Sequence, residues 1–270
     1  MSRLIPGLAL AACWLFLLLY GHFLLFFLVM ALVILIGAQE YARMAFSEES
    51  IFFRAFLAAL ALLPTLCIGF VPSLGLTGGL VLSFLFLTTY ILYRYSQLQD
   101  ALSFFSSAFF GLSYVGFLGA HLVLLRQLPE GSSWILVLTA ITAGSDSGAY
   151  YSGRAFGKHK LCPRVSPNKT VEGAIGGLVT GIVVAVLMTL LLRLQVSWFF
   201  LVPATILLTG VGIVGDLTES VIKRATGTKD SGTVLGAHGG VLDRVDSLLF
   251  AAPVLYYLLL VYQGVSMVSP

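Results

Sequence analysis

The sequence predicts an all-α, polytopic transmembrane helical bundle of about nine spans, and three observations carry that prediction. The 270-residue chain is 59% hydrophobic and only 10% charged, whereas a soluble domain carries about 25% charged residues. Too little polar surface exists to cover a water-soluble globule. Apolar runs of about 17 or more residues recur along the whole length, enough each to cross a hydrocarbon core. These runs lack the strict alternation of a membrane barrel, which leaves helices as the structure that satisfies the backbone in lipid.

The first apolar stretch is too long for one span, and Tyr20-Gly21-His22 is its natural break, giving helices at 4–20 and 22–38. Within it Leu10-Ala11-Ala12-Cys13 mimics a lipoprotein cleavage box, but Pro6-Gly7 interrupts the approach and hydrophobicity continues to Gly37, so a retained first helix is expected. Further spans are expected at 52–72, 74–93, 104–125, 133–151, 172–194, 197–215 and 247–264. Residues 1–130 supply about five helices and 131–270 the remainder, within a single integrated membrane domain. Trp134 and Trp198 stand at span ends, as interfacial anchors do. Cys13, Cys67 and Cys162 are scattered, with neither disulfide nor metal spacing.

Nine spans put the N-terminus and the loops after spans 2, 4, 6 and 8 on one side. That side receives 13 of the 15 basic residues, leaving Arg126 and Arg193 opposite. The positive-inside rule makes the basic side cytoplasmic. Residues 146–172 hold seven charges there and residues 216–246 hold nine, so a cytoplasm-facing active-site cavity is expected.

In the second of these segments, Asp216, Glu219, Ser220 and Lys223 share one face if the eighth helix continues past 215. A polar face emerging from lipid looks into the bundle or a watery cavity; the rival reading is a simple Glu219–Lys223 surface pair. Asp243 and Asp246, three apart at the start of the last span, share another face, with Arg244 between them. A helix-capping role suits one of the two acids. Gly232, Gly236, Gly239 and Gly240 could let backbone amides approach an anion. In the first segment Asp146 falls inside the sixth span, where a carboxylate marks a functional site. Gly153-Arg154-Ala155-Phe156-Gly157-Lys158 is one residue short of a nucleotide P-loop and lacks the following Ser or Thr. Thr170 is a candidate cap for the seventh span, and Gly173, Gly177 and Gly181 form a stripe suited to close helix packing or a dimer contact.

Carboxylates at Asp146, Asp216 and Asp246 suit a hard divalent cation that borrows phosphate oxygens. Lys169, Lys223, Arg224, Lys229 and Arg244 suit phosphates. Chemistry on a polyphosphate at the inner face of a bilayer is what such residues serve.

The stretch Ser220-x-x-Lys223-Arg224-x(4)-Lys229-Asp230-x-Gly232-x(2)-Leu235-Gly236-x-His238-Gly239-Gly240-Val241-x-Asp243-Arg244-Val245-Asp246 resembles the signature of phosphatidate cytidylyltransferases. Asp146-Ser147-Gly148-Ala149-Tyr150, Gly153-Arg154-x-Phe156-Gly157-Lys158-His159-Lys160 and Ser166-Pro167-Asn168-Lys169-Thr170-Val171-Glu172-Gly173 resemble the same family in the same order. Gly236-Ala237 replaces the usual Pro-Gly, and Asn168 stands where a second lysine is common. The resemblance implies transfer of CMP from CTP to phosphatidate, a homodimer in the lipid bilayer and dependence on Mg²⁺, with a second, monovalent cation such as K⁺ left open. It implies Asp216 and Asp246 as metal ligands and Asp146 as a third ligand or nucleotide contact. Lys169, Lys223, Arg224, Lys229 and Arg244 would act on phosphates, with Asp230 orienting a cation. His238 and Asp243 would belong to the catalytic set, and Ser220, Gly239 and Gly240 to nucleotide binding. No nucleic-acid partner is expected. Two rivals stay open: a cytidylyltransferase for another lipid phosphate, of ether-lipid type, and an anion transporter.

Overall fold

The computed structural model describes residues 4–236 and 239–268. Ten α-helices follow one another: α1 Leu4–Tyr20, α2 Phe23–Ala45, α3 Ile51–Phe70, α4 Gly75–Arg94, α5 Ala101–Gly111, α6 Leu118–Gln127, α7 Gly131–Phe156, α8 Val171–Leu191, α9 Trp198–Ala225 and α10 Leu242–Val268. A π-helical turn, Leu112–Phe117, joins α5 to α6, so helix lies at each of the nine predicted positions. Seven of the described helices are long and apolar enough to cross a membrane, and Gly7–Tyr20 is a shorter apolar helix. Helix α7 has the length, but Ser145, Asp146, Ser147 and Arg154 dilute its second half. The chain is an integral membrane protein of the predicted all-α class.

Three helices run five or more residues past their predicted ends. Helix α2 continues to Ala45, because Glu40-Tyr41-Ala42-Arg43-Met44-Ala45 holds strong helix formers beyond the last purely apolar turn. Helix α9 continues to Ala225 and α7 to Phe156, which leaves Asp146 near the middle of α7 rather than near its end. Among the described residues the one β element is a hairpin, β1 Lys160–Cys162 against β2 Ser166–Thr170, antiparallel. Its strands are too short and polar to show a period-2 pattern in the sequence.

The chain divides into two compact units. One comprises the chain up to Leu124 together with Ala225–Val245, and the other comprises Leu125–Arg224 together with the chain from Asp246 onward. In the first unit, α4 presses on α3: Ser83 donates to the Leu60 carbonyl at 2.8 Å. A Cβ at Gly79 would stand 2.5 Å from the Pro64 Cα, so no larger residue fits that crossing. Phe46, Phe53 and Phe104 form an aromatic knot with ring centroids 4.9–5.1 Å apart, and the Tyr41 hydroxyl ties α2 to the Ser107 carbonyl at 2.7 Å.

The second unit is built on α7 and α8, which pack along their lengths. A Cβ at Gly177 would lie 2.8 Å from the Ser145 carbonyl oxygen, and one at Gly173 would lie 2.9 Å from that of Ala149. The predicted glycine stripe therefore serves packing inside the chain. Thr170 caps α8 as expected, accepting from the Gly173 N–H at 3.1 Å. Trp198 is half exposed, whereas Trp134 is buried edge-on against Phe200 and is a core residue rather than an anchor.

Candidate active site

Because α9 does not stop at 215, its polar residues fall on one face as the spacing requires. Asp216 and Glu219 stand one turn apart, and Asp246, in the first turns of α10, completes a cluster. One carboxylate oxygen from each lies within 4.8 Å of the other two. The two helices meet closely here. A Cβ at Gly215 would fall 2.7 Å from the Asp246 carbonyl oxygen, and Ser247 donates its hydroxyl to the Gly212 carbonyl at 3.1 Å. The Asp246 carboxylate accepts from the Ser247 N–H at 2.7 Å, which fixes its rotamer.

Glu219 is 1% exposed and accepts from Lys223 Nζ at 2.9 Å. The Glu219–Lys223 pair read as a surface contact thus exists, but its acid is buried. Asp216 also pairs with Lys169. The Lys169–Asp216 pair opens onto a cavity of about 380 Å³ lined by Asp146, Tyr150, Asn168, Lys169 and Asp216 among others. Asp216 is therefore the joint between this cavity and the three-carboxylate cluster. Helix α7 contributes Asp146, the hairpin contributes Asn168 and Lys169, and α9 contributes Asp216. The segment that enters the hairpin is held to α8 by Glu172, which accepts from the Lys158 N–H at 3.0 Å and meets His159 Nδ1 at 2.6 Å. Ser220 is half-buried on α9 and Arg224 is exposed at its end.

The glycine-rich stretch belongs to the other unit and is organised differently from a phosphate cradle. The Gly240 N–H donates to Asp243 Oδ2 at 2.8 Å, and the Ser231 N–H donates to the same oxygen at 3.1 Å. The Gly239 N–H donates to the Gly236 carbonyl at 3.2 Å, with Gly239 at φ 78°. These amides turn inward, so Gly239 and Gly240 shape the loop, and Asp243 acts as its internal clasp. Lys229, Asp230 and Arg244 are exposed, and among the described residues Asp230 has no ion-pair partner. His238 lies outside the described residues.

Glu219 is legible in the sequence as the i+3 neighbour of Asp216. A second buried acid, Glu40, is not. It follows the predicted end of the second span, is 1% exposed, and takes hydrogen bonds from Val241, Leu242 and Ser231.

The profile of the cytidylyltransferase family matches residues 1–262. A phosphatidate cytidylyltransferase of Pseudomonas aeruginosa is 41% identical over 249 residues, covering 90% of each chain. One from Bacillus subtilis is 39% identical over 150 residues, 55% of this chain and 56% of the relative. One from Staphylococcus saprophyticus is 39% identical over 175 residues, 64% of this chain and 66% of the relative. The chain thus spans less than two thirds of the Bacillus and Staphylococcus relatives' lengths and nine-tenths of the Pseudomonas relative's.

Proposed function

Because the chain belongs to the cytidylyltransferase family, we propose that it transfers CMP from CTP to phosphatidate, giving CDP-diacylglycerol and pyrophosphate. A phosphate oxygen of phosphatidate attacks the α-phosphorus of CTP, and the bond to the β-phosphate breaks. The nucleophile is already anionic, so a base has little to do. The difficulty lies in bringing two anions together and in stabilising charge on the departing pyrophosphate. Asp216 carries the reading, because it joins a cavity bearing Lys169 to a cluster of carboxylates on helices of an integral membrane protein.

The donor set fits a hard divalent cation. Asp216, Glu219 and Asp246 offer only oxygen, the ligand that Mg²⁺ prefers, and Mg²⁺ keeps several waters and borrows phosphate oxygens. Four carboxyl groups, Asp146 included, stand here with two paired lysines, an excess of negative charge that a bound cation offsets. Mg²⁺ at Asp216, Glu219 and Asp246 would neutralise nucleotide phosphate charge. Three carboxylates exceed the one or two that Mg²⁺ commonly uses, which leaves donor capacity for a monovalent ion such as K⁺.

The chain's own groups do the rest. Lys169 presents an ammonium at the cavity wall. Lys223 pairs with Glu219, and Arg224, Lys229 and Arg244 are the cations the signature assigns to phosphates. Tyr150 and Ala149 give the cavity an apolar side suited to a lipid. The site is proposed to face the cytoplasm of a bacterial inner membrane, and the protein to act as a homodimer.

Thin-layer chromatography of lipid made from labelled CTP and phosphatidate by the detergent-solubilised protein tests this. Label in an organic-soluble product, dependent on added Mg²⁺, is expected. Solute uptake by proteoliposomes without CTP turnover would replace the proposal with a transporter. Equal use of an ether-linked lipid phosphate would widen the substrate class.

A further inference from the structure

Helix α2 ends its apolar course by burying an acid. Glu40 is 1% exposed, and a carboxylate at such a place is costly unless its oxygens are satisfied. They are satisfied by the chain some 200 residues later. The Val241 N–H donates to Oε1 at 3.0 Å, the Leu242 N–H donates to Oε2 at 2.8 Å, and the Ser231 hydroxyl donates to Oε2 at 3.3 Å. Both oxygens accept from consecutive backbone amides at the start of α10, the place where a helix leaves its N–H groups unpaired. The fit is tight. A Cβ at Gly232 would stand 2.5 Å from Glu40 Oε1, and a Cβ at Gly240 would stand 2.6 Å from Oε2. Glycine at both positions makes room for the carboxylate.

The loop closes on itself through a second acid. Asp243 accepts from the Ser231 and Gly240 N–H groups, and the Asp243 N–H donates back to the Ser231 hydroxyl at 3.3 Å. Ser231 is thus shared by both carboxylates. The amides of Ser231, Gly240, Val241 and Leu242 all point into this staple. Those four amides are thereby taken up within the protein, and Lys229 and Arg244, both exposed, flank the stapled segment.

We propose that Glu40 is a positioning residue for nucleotide recognition: from α2 it holds Ser231–Gly232 and Gly240–Leu242 together so that the flanking Lys229 and Arg244 can serve CTP phosphates. This rests on the reading that the loop contacts the nucleotide. Glu40→Gln keeps the size but replaces one acceptor oxygen with a donor that faces a backbone N–H. A side chain that merely filled space would tolerate that exchange.

The test uses full-length protein in detergent, comparing wild type with Glu40→Gln by hydrogen exchange and steady-state kinetics. Exchange of amides between 231 and 242 is expected to accelerate at least about tenfold, while α3 and α4 keep their protection. KM for CTP is expected to rise about tenfold, the scale set by losing charge-assisted bonds to backbone amides, with KM for phosphatidate moving less than about twofold. Unchanged loop exchange in folded Glu40→Gln overturns the proposal, as does a fall in the active fraction alone with KM for CTP unmoved. Should Glu40→Gln fail to fold, Ser231→Ala removes the shared hydroxyl with less disturbance. Faster loop exchange there supports the staple, and unaltered exchange overturns it. Wild-type protein that turns over no CTP would sink the proposed function instead, and the exchange result would still decide whether Glu40 holds the loop.

Discussion

Glu40 and Glu219 are equally buried, at 1% exposure each, yet their surroundings are opposite. Glu40 is wrapped by backbone amides and glycines. Its charge is met by groups that cannot leave, and it stabilises a shape. Glu219 is met by the Lys223 ammonium and crowded by the carboxylates of Asp216 and Asp246. Like charges gathered near lipid repel unless a cation joins them. The difference separates two uses of one side chain. An acid given fixed amides holds a shape, and an acid given other acids is where the proposed cation would bind.

The largest effect that could break this distinction is at Asp246. Asp246→Asn keeps the shape and the Ser247 contact while removing a charge from the cluster, and CTP turnover is expected to fall at least about a hundredfold. Near-normal transfer of label into lipid would show that the cluster is not a metal site. Glu219→Gln comes next. The concentration of Mg²⁺ giving half-maximal activity is expected to rise about tenfold, with a smaller change at saturating Mg²⁺. If Mg²⁺ dependence is unaltered, Glu219 serves Lys223 alone and resembles Glu40 after all.

A third variant separates packing from chemistry. Gly177→Ala places a methyl group 2.8 Å from the Ser145 carbonyl oxygen, forcing α7 and α8 apart. Overpacking of that kind costs about 1–3 kcal/mol, so the melting temperature in detergent is expected to drop. The Mg²⁺ requirement is expected to stay put. A shift in Mg²⁺ dependence would mean that the α7–α8 seam, with Asp146 on it, sets the geometry of the proposed metal site.

How legible was each region beforehand? The helices around Glu219 were readable because hydrophobic runs report their own length and because Asp216, Glu219, Ser220 and Lys223 carry helical spacing in the sequence itself. Asp146 announced itself as an acid among apolar neighbours. Glu40 gave no such notice. Its partners are backbone amides, which every residue possesses, and they lie about 200 positions away, so no local spacing encodes the contact. The same blindness explains the glycines. Gly239 and Gly240 look like a phosphate cradle in one dimension, and the structure turns their amides toward carbonyl and carboxylate oxygens of the same loop. Hydropathy likewise could not end α2, α7 or α9, since a helix may leave the lipid without ceasing to be a helix.

The smallest expected effect lies at the hairpin's exit, where a cap and a cation adjoin. Thr170 accepts from the Gly173 N–H and begins α8, and its chain neighbour Lys169 pairs with Asp216. Thr170→Ala removes the side-chain acceptor at a cost of about 1 kcal/mol, a modest fall in thermal stability. The loosened turn also frees the backbone that aims Lys169, so activity is expected to decline about two- to threefold, on the scale of that same lost bond. Thr170→Ser restores the hydroxyl and is expected to recover both. If Thr170→Ala lowers stability while leaving turnover intact, Lys169 is held by Asp216 alone, and the hairpin contributes to the fold of the second unit without contributing to its chemistry.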